Sequence, residues 1–469
     1  MAKKNWYDTK QSRVKAYERW MKIYKGEHLE VWGQGLNEEE KEKYMILNFA
    51  RVIVDLPSRI LTSKDPIFTV QDDATQEYLD KILFNNKIID KLGSVISTGQ
   101  ILGGVVIRTS YRKRNAGQEH SEPCVDFIHP QFYEPIYDEW DTTEIKANKL
   151  EFYYKAADGT EYKKIELDEY NKYTELFYKK SENDTDFIEY KESIETKHKQ
   201  GLLIQYVPFF SSLFEFWGNS IFIDIEDVLK EINNRASRMK RVLDIFSSPK
   251  LLLPKSIFEQ VFQGEEVITD SQGNKYVNLG NDDVYMWDPE TDGDQKPEYI
   301  TWDANLESAF ELFKNIETAL AVLTDTPTDV LKNSQSASPE SGRALKIRFI
   351  QTLYKAAQIS KALTNPLKKA LWQALGLEDQ FGTEKIKQEW VEINWISGLP
   401  MDEEEITLEI EKYNNKLQSR ETTVKKLNNL NSRQLEEELK RIEEDERRES
   451  EGLSREFPVL DLGDDLNAE

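Results

Sequence analysis

Residues 221–246 read IFIDIEDVLKEINNRASRMKRVLDIF. Ile221, Ile225, Val228, Ile232, Ala236, Met239, Val242 and Phe246 recur at steps of three and four, with no Gly or Pro among them, which is the period of one helix face. The spacing predicts one long helix, and Pro249 and Pro254 end it. In the next fifty residues, Asp270-Ser271-Gln272-Gly273 and Gly280-Asn281-Asp282-Asp283 are turn signals between strand-like runs, so a small β-rich insert is expected there. A second helix follows, with Leu306, Phe310, Phe313, Ile316, Leu320 and Leu323 on one face. Helix, small insert and helix form the frame from which the rest of the chain is read.

Toward the N-terminus the chain reads as mixed α and β. Residues 9–24 look helical, and 48–61 carry Val52, Ile53, Leu56 and Ile60 at helical spacing before the strand-like Pro66-Ile67-Phe68-Thr69-Val70. From about 124 to 207, short runs rich in Tyr, Phe and Ile alternate with Asp-Gly and Asn-Asp turns, the pattern of antiparallel strands. Toward the C-terminus, Asp325 to Gly342 is a polar loop with Pro327, Pro339, four serines and one cation, Lys332. A helix is expected from about 341 to 375, bent at Pro366, where a donor is missing and the ring clashes with the preceding turn. Beyond the strand-like 389–396 and the Gly398-Leu399-Pro400 break, residues 401–469 hold 21 acidic and 11 basic residues, a solvated helical cap with a narrow stripe at Leu435, Leu439 and Ile442. A tail from 451 to 469 is expected to be disordered.

Composition limits function. The 469 residues are 39% hydrophobic and include 52 aromatic side chains, enough for a sizeable core. Against 62 Lys and Arg stand 86 Asp and Glu, and the net charge of −24 disfavours broad binding to phosphate backbones. One cysteine, Cys124, excludes intrachain disulfides and fits a reducing compartment and a core position. The charged, aromatic start shows no apolar signal core. The run 201–223 contains Glu215 as its only charge, but Pro208, Ser211, Ser212 and Asn219 favour a strand, a loop and a helix start over a membrane span. The run 92–107 reads as a buried helix turning into a strand.

The usual catalytic constellations are absent. There is no phosphate-cradling Gly-x-x-x-x-Gly-Lys-Ser/Thr loop, no dinucleotide fingerprint and no Gly-x-Ser-x-Gly elbow. His28, His120, His129 and His198 lack partners at ligand spacing, so no metal site and no cofactor are expected. The acidic runs Glu403-Glu404-Glu405 and Glu443-Glu444-Asp445-Glu446 read as solvated helix faces. An enzyme is not expected.

The order of parts resembles the portal proteins of tailed double-stranded DNA bacteriophages, an α+β fold. Four local matches carry the resemblance over about residues 10–450. They are Asn48-Phe49-Ala50-Arg51-Val52-Ile53-Val54-Asp55 ahead of Lys64-Asp65-Pro66, and Val207-Pro208-Phe209-Phe210 leading through Gly218-Asn219-Ser220 into the long helix. The third is Ser341-Gly342-Arg343-Ala344-Leu345-Lys346, similar to the element that opens the bent helix in portals of siphophages of Gram-positive bacteria. The fourth joins Ile393-Asn394-Trp395, Leu399-Pro400-Met401-Asp402 and Leu417-Gln418-Ser419-Arg420-Glu421-Thr422.

The resemblance implies an elongated ring subunit. Its parts would be a mixed α/β wing over 1–218 and 342–400, stem helices at 219–247 and 302–325, and a β-rich clip at 248–301. A tunnel loop would occupy 326–341 and an α-helical crown 401–450. It also implies a homo-oligomeric ring, twelve copies, at the capsid vertex of the virion, assembled in the host cytoplasm. The ring would surround DNA read without sequence specificity and would dock the terminase large subunit. Major capsid, scaffolding and head-completion or adaptor proteins would be further partners, and no membrane is involved. Lys332, Asn333, Ser334 and Gln335 would face DNA from the tunnel loop, or else that loop is a surface segment without DNA contact. Arg235, Arg238, Lys240 and Arg241, with Lys250 beyond them, form a basic cluster opposed in that stretch only by Asp244. It would either pair with acidic groups of a neighbouring subunit or face the channel. The alternative to the whole reading is a non-enzymatic structural or adaptor protein of another macromolecular assembly.

Overall fold

The computed structural model describes residues 9–456 apart from 116, 142–143, 182–186, 214, 248–249, 263–266, 270–274, 279–282, 288–297, 301–305, 333–341, 397–402, 429 and 431. The chain forms two compact units, one from Met1–Leu56, Gly99–Gly104 and Phe210–Gln335, the other from Pro57–Thr98, Val105–Phe209 and Ser336–Glu469. No helix among the described residues is long and apolar enough to cross a membrane.

The first unit is built on helices. Lys10–Lys25 opens with the Thr9 hydroxyl accepting the Ser12 N–H at 3.1 Å, a side-chain N-cap, and closes at Gly26 in the left-handed region. Tyr17, Trp20 and Ile23 of this helix, Ala50 and Ile53 of the helix Phe49–Thr62, and Ile225, Leu229 and Ile232 are buried together with Leu320 in one core. The expected early motif has a structural purpose. Asn48 caps its helix by accepting from Arg51 N, and donates its amide to Tyr24 O at 3.0 Å. Asp55 accepts from the Tyr24 hydroxyl at 2.8 Å.

The long helix runs over Glu226–Ser247, seven residues short of the expected start at 219. Ile223 N–H and Ile225 N–H reach only three residues back, to Ser220 and Phe222, so the apolar stripe begins in tight turns. Gly218-Asn219-Ser220 lies there because backbones meet. Gly103 has φ +77°, and a Cβ on it would stand 2.3 Å from the Gly218 carbonyl oxygen, so only glycine fits. Beside it, Ile221 N–H donates to Gln100 O, and the Gln100 side chain donates to Val54 O.

Between Lys250 and Ile300 stands the expected β-rich insert. Its five strands are ordered Ile268–Thr269, Lys275–Asn278, Asp283–Trp287, Lys250–Pro254 and Glu298–Ile300. Buried Phe258, Val277 and Val284 make its own small core. The second helix, Leu306–Leu323, packs on Glu226–Ser247. It ends where Asp325 adopts φ +54° and Thr326 N–H returns to Ala321 O at 3.0 Å. A short helix, Thr328–Lys332, then occupies the first part of the expected loop. Pro327 just before it, with its φ preset and no donor to lose, suits a helix start.

In the second unit, Glu122–Ile128, Gly104–Arg112 and Ile204–Pro208 make a three-stranded sheet on which the helix Ile350–Phe381 packs. The helix expected over 341–375 is two, Gly342–Arg348 and Ile350–Phe381, parted at Phe349 with φ −89° and ψ 4°. The second runs through Pro366 and six residues past Leu375. The strands Tyr133–Tyr137, Ile145–Lys155, Glu161–Glu169, Lys172–Lys180 and Phe187–Lys197 form an antiparallel meander. Arg108 reaches that meander with a fork on Glu166 at 2.7 and 2.8 Å, and also donates to Asp126 at 2.7 Å. Burial raises the Glu166 pKa, but Arg108 and Lys164 outweigh it and hold the carboxyl below its ordinary value. Ile67–Thr69 pairs antiparallel with Glu392–Asn394. The charged C-terminal part is helical over Glu403–Asn414, Arg420–Asn428 and Ser432–Glu456. The last of these continues into the tail expected to be disordered, and 457–469 lie outside the described residues.

Candidate functional site

The basic cluster does not act as one group. Arg235 pairs with Glu231 one turn back, Nε to Oε1 2.6 Å. Lys240 is exposed. Arg238 and Arg241 turn instead to a cleft of about 480 Å³ walled by Gln34 to Tyr44 on one side and by Lys230, Asn234 and Ser237 on the other. Lys230, Arg238 and Arg241 stand at i, i+8 and i+11, one face of the helix. The Lys250 side chain lies outside the described residues.

The opposite wall is held by its own local chemistry. Asn37 caps the helix Glu38–Glu42, accepting from Glu40 N–H at 2.8 Å while the Glu40 carboxylate accepts from Asn37 N–H at 3.0 Å. Lys43 pairs with Glu39 at 2.6 Å, and Lys43 first, then Arg241, hold the Glu39 carboxyl below its ordinary value. The two walls are tied by Met45 N–H donating to the Ser237 hydroxyl at 2.8 Å and Leu47 N–H to Asn233 Oδ1 at 2.9 Å. At the other end of the long helix, Glu226 accepts from Arg19 Nε at 2.9 Å and Trp32 Nε1 at 3.1 Å, an acid placed at a helix N-terminus.

The charge on the cleft is thus inverted relative to the chain. Lys43, Lys230, Arg238 and Arg241 outnumber Glu39 and Glu40, and both glutamates are occupied by local partners. Sequence reading missed Lys230 because it sits five residues before the dense run at 235–241. The i, i+8, i+11 spacing was the available signal. It also missed the acidic wall, which comes near only through the contacts of Met45 and Leu47.

Of the expected tunnel-loop residues, Lys332 ends the helix Thr328–Lys332, while Asn333, Ser334 and Gln335 lie outside the described residues. Pro366 lies within Ile350–Phe381 with its carbonyl accepting from Gln205 Nε2 at 2.6 Å. Three of the histidines make hydrogen bonds within the fold. His129 caps the turn Pro130–Phe132 by accepting from Gln131 N–H at 3.1 Å, and burial lowers its pKa to about 4. His28 and His198 are buried and His120 is exposed. No group of three or more His, Cys, Asp and Glu able to hold a metal occurs among the described residues.

No curated protein matches this chain. Among solved structures, a chain in the virion of a native gene transfer agent particle aligns over 90% of this chain and 99% of its own length, at 12% identity and a TM-score of 0.43. The family described as phage portal protein, SPP1 Gp6-like, matches residues 3–452, and with nearly the whole sequence accounted for, the chain belongs to the phage portal proteins.

Proposed function

We propose that copies of this chain, twelve by resemblance, close a ring around a channel through which double-stranded DNA is packaged and later ejected. Family membership carries this reading: a phage portal protein is a structural, non-enzymatic component of the virion at the capsid vertex. In support, two helices, Glu226–Ser247 and Leu306–Leu323, flank a separate β insert, the order expected of a stem at 219–247 and 302–325 carrying a clip at 248–301. The clip presents the surface for the terminase large subunit during packaging and for head-completion proteins afterwards. Residues 1–218 and 342–400 form the wing and 401–450 the crown, which meet the major capsid and scaffolding proteins. The kin are phages of Gram-positive hosts, on the strength of Ser341-Gly342-Arg343-Ala344-Leu345-Lys346.

DNA must slide through such a channel, and each cation on a phosphate adds grip through counterion release. A chain of net charge −24 keeps that grip small. Lys332, Asn333, Ser334 and Gln335 of the tunnel loop touch the backbone as a thin collar, without reading bases. Negative-stain imaging or native mass spectrometry of the purified protein tests the assembly. Rings are expected, and a stable monomer at micromolar concentration in every salt tried overturns the proposal.

A further inference from the structure

The basic cleft keeps an excess of positive charge, four cations against the two acids Glu39 and Glu40. Among the described residues Lys230 and Arg238 hold no ion pair, and Arg241 has only the field of Glu39, which Lys43 already occupies. A cleft of about 480 Å³ has room for one or two carboxylate side chains. Trp32, Leu36 and Tyr44 add apolar lining beside the cations, the composition of a protein contact.

The complementary surface is on the same unit. The helix Leu306–Leu323 buries Leu320 and Ala321, but leaves Glu307 and Glu311 exposed one turn apart. Phe310, 40% exposed, and Leu312, 42% exposed, flank the two acids on either side. Neither glutamate has a partner among the described residues.

We infer that the Lys230, Arg238 and Arg241 face of one copy receives the Glu307 and Glu311 face of a second copy. The two faces differ, so the contact is heterologous and does not stop at a dimer, and where its rotation closes it repeats around a ring. The apolar residues supply buried area, and the charges fix which face meets which. The inference rests on the ring reading above and names the surfaces that close it.

Two variants test it, R238E/R241E and E307K/E311K, all four positions exposed on helix faces. Each alone is expected to lose the ring in native mass spectrometry while keeping the circular dichroism spectrum of the wild-type chain. Mixed one to one, they are expected to reassemble, because the reversed cleft of one meets the reversed helix of the other and the two remaining faces are wild type. The restored particles then hold both variants in equal number, and the quadruple variant assembles by itself. Wild-type assembly of R238E/R241E, or no assembly in the mixture, overturns the inference. So does a loss confined to DNA binding with rings intact. A wild-type protein that never forms rings instead overturns the ring reading itself.

Discussion

Asn233 and His28 share a buried hydrogen bond of 2.7 Å between the Asn233 amide nitrogen and His28 Nδ1. The direction follows from the far side of the ring, where Nε2 lies 3.0 Å from the Ile23 carbonyl, which can only accept. Nε2 therefore carries the proton and Nδ1 accepts from Asn233. Since Asn233 Oδ1 also accepts from Leu47 N–H, one side chain in the middle of the long helix joins two other segments of the core.

Replacing Asn233 by Ala leaves the half-buried Leu47 N–H and the buried His28 Nδ1 without this partner. The expected cost is about 2 kcal/mol of stability, the range for buried groups left without partners. Urea unfolding measures it, and an unchanged midpoint shows that the network contributes nothing.

Burial holds the pKa of His28, His129 and His198 below the ordinary histidine value of 6.5. On acidification the unfolded chain takes up protons first, so the stability from these neutral rings is complete above about pH 6.5 and is lost as pH falls. The melting midpoint is expected to drop between pH 7.5 and 5. His129→Asn, whose side-chain oxygen can still accept the Gln131 N–H, is expected to flatten part of that slope. An unaltered slope assigns the effect to other groups.

The insert is paired at its base, with Lys250 opposite Ile300 and Leu252 opposite Glu298, and holds its own core. A short linker in place of residues 260–290 removes most of that core and keeps the base. Rings are expected to form normally while capture of the terminase large subunit in a pull-down is lost. Full capture moves the docking surface elsewhere on the chain.

For the collar, Lys332→Ala and a Gly-Ser replacement of residues 332–336, which spares the buried Leu331, are expected to assemble normally and to impair DNA translocation or retention in a packaging assay with the cognate phage. Wild-type packaging by both removes the collar from the mechanism.

Much of the architecture is legible as periodicity. Leu306–Leu323 matches its apolar stripe, Ile88–Leu102 followed by Gly104–Arg112 matches the helix that turns into a strand, and the Tyr-rich runs are the antiparallel meander. Family membership likewise sets aside an adaptor of an unrelated assembly. Failures occur where the same stripe is compatible with two backbones. Ile221 and Ile225 keep helical spacing but sit on tight turns, and the break at Phe349 falls in a stretch with no Gly or Pro to mark it. The short helix Thr328–Lys332 was hidden by its polar surroundings, although Thr326-Pro327 was a start signal. The cleft was less legible still. Which cations share a face follows from helix spacing, but the nearness of Glu39 to Arg241 depends on a chain path that no local pattern encodes.

In a saturation library of this gene, Gly103 should score as severely as any residue of the channel, with no exposed chemistry to justify it. Its backbone conformation and the 2.3 Å between a new Cβ and the Gly218 carbonyl refuse even alanine. Depletion at Gly103 therefore reports failed folding, whereas depletion at Lys332 is expected from the collar proposal to report failed packaging, and a count of soluble protein per variant separates the two.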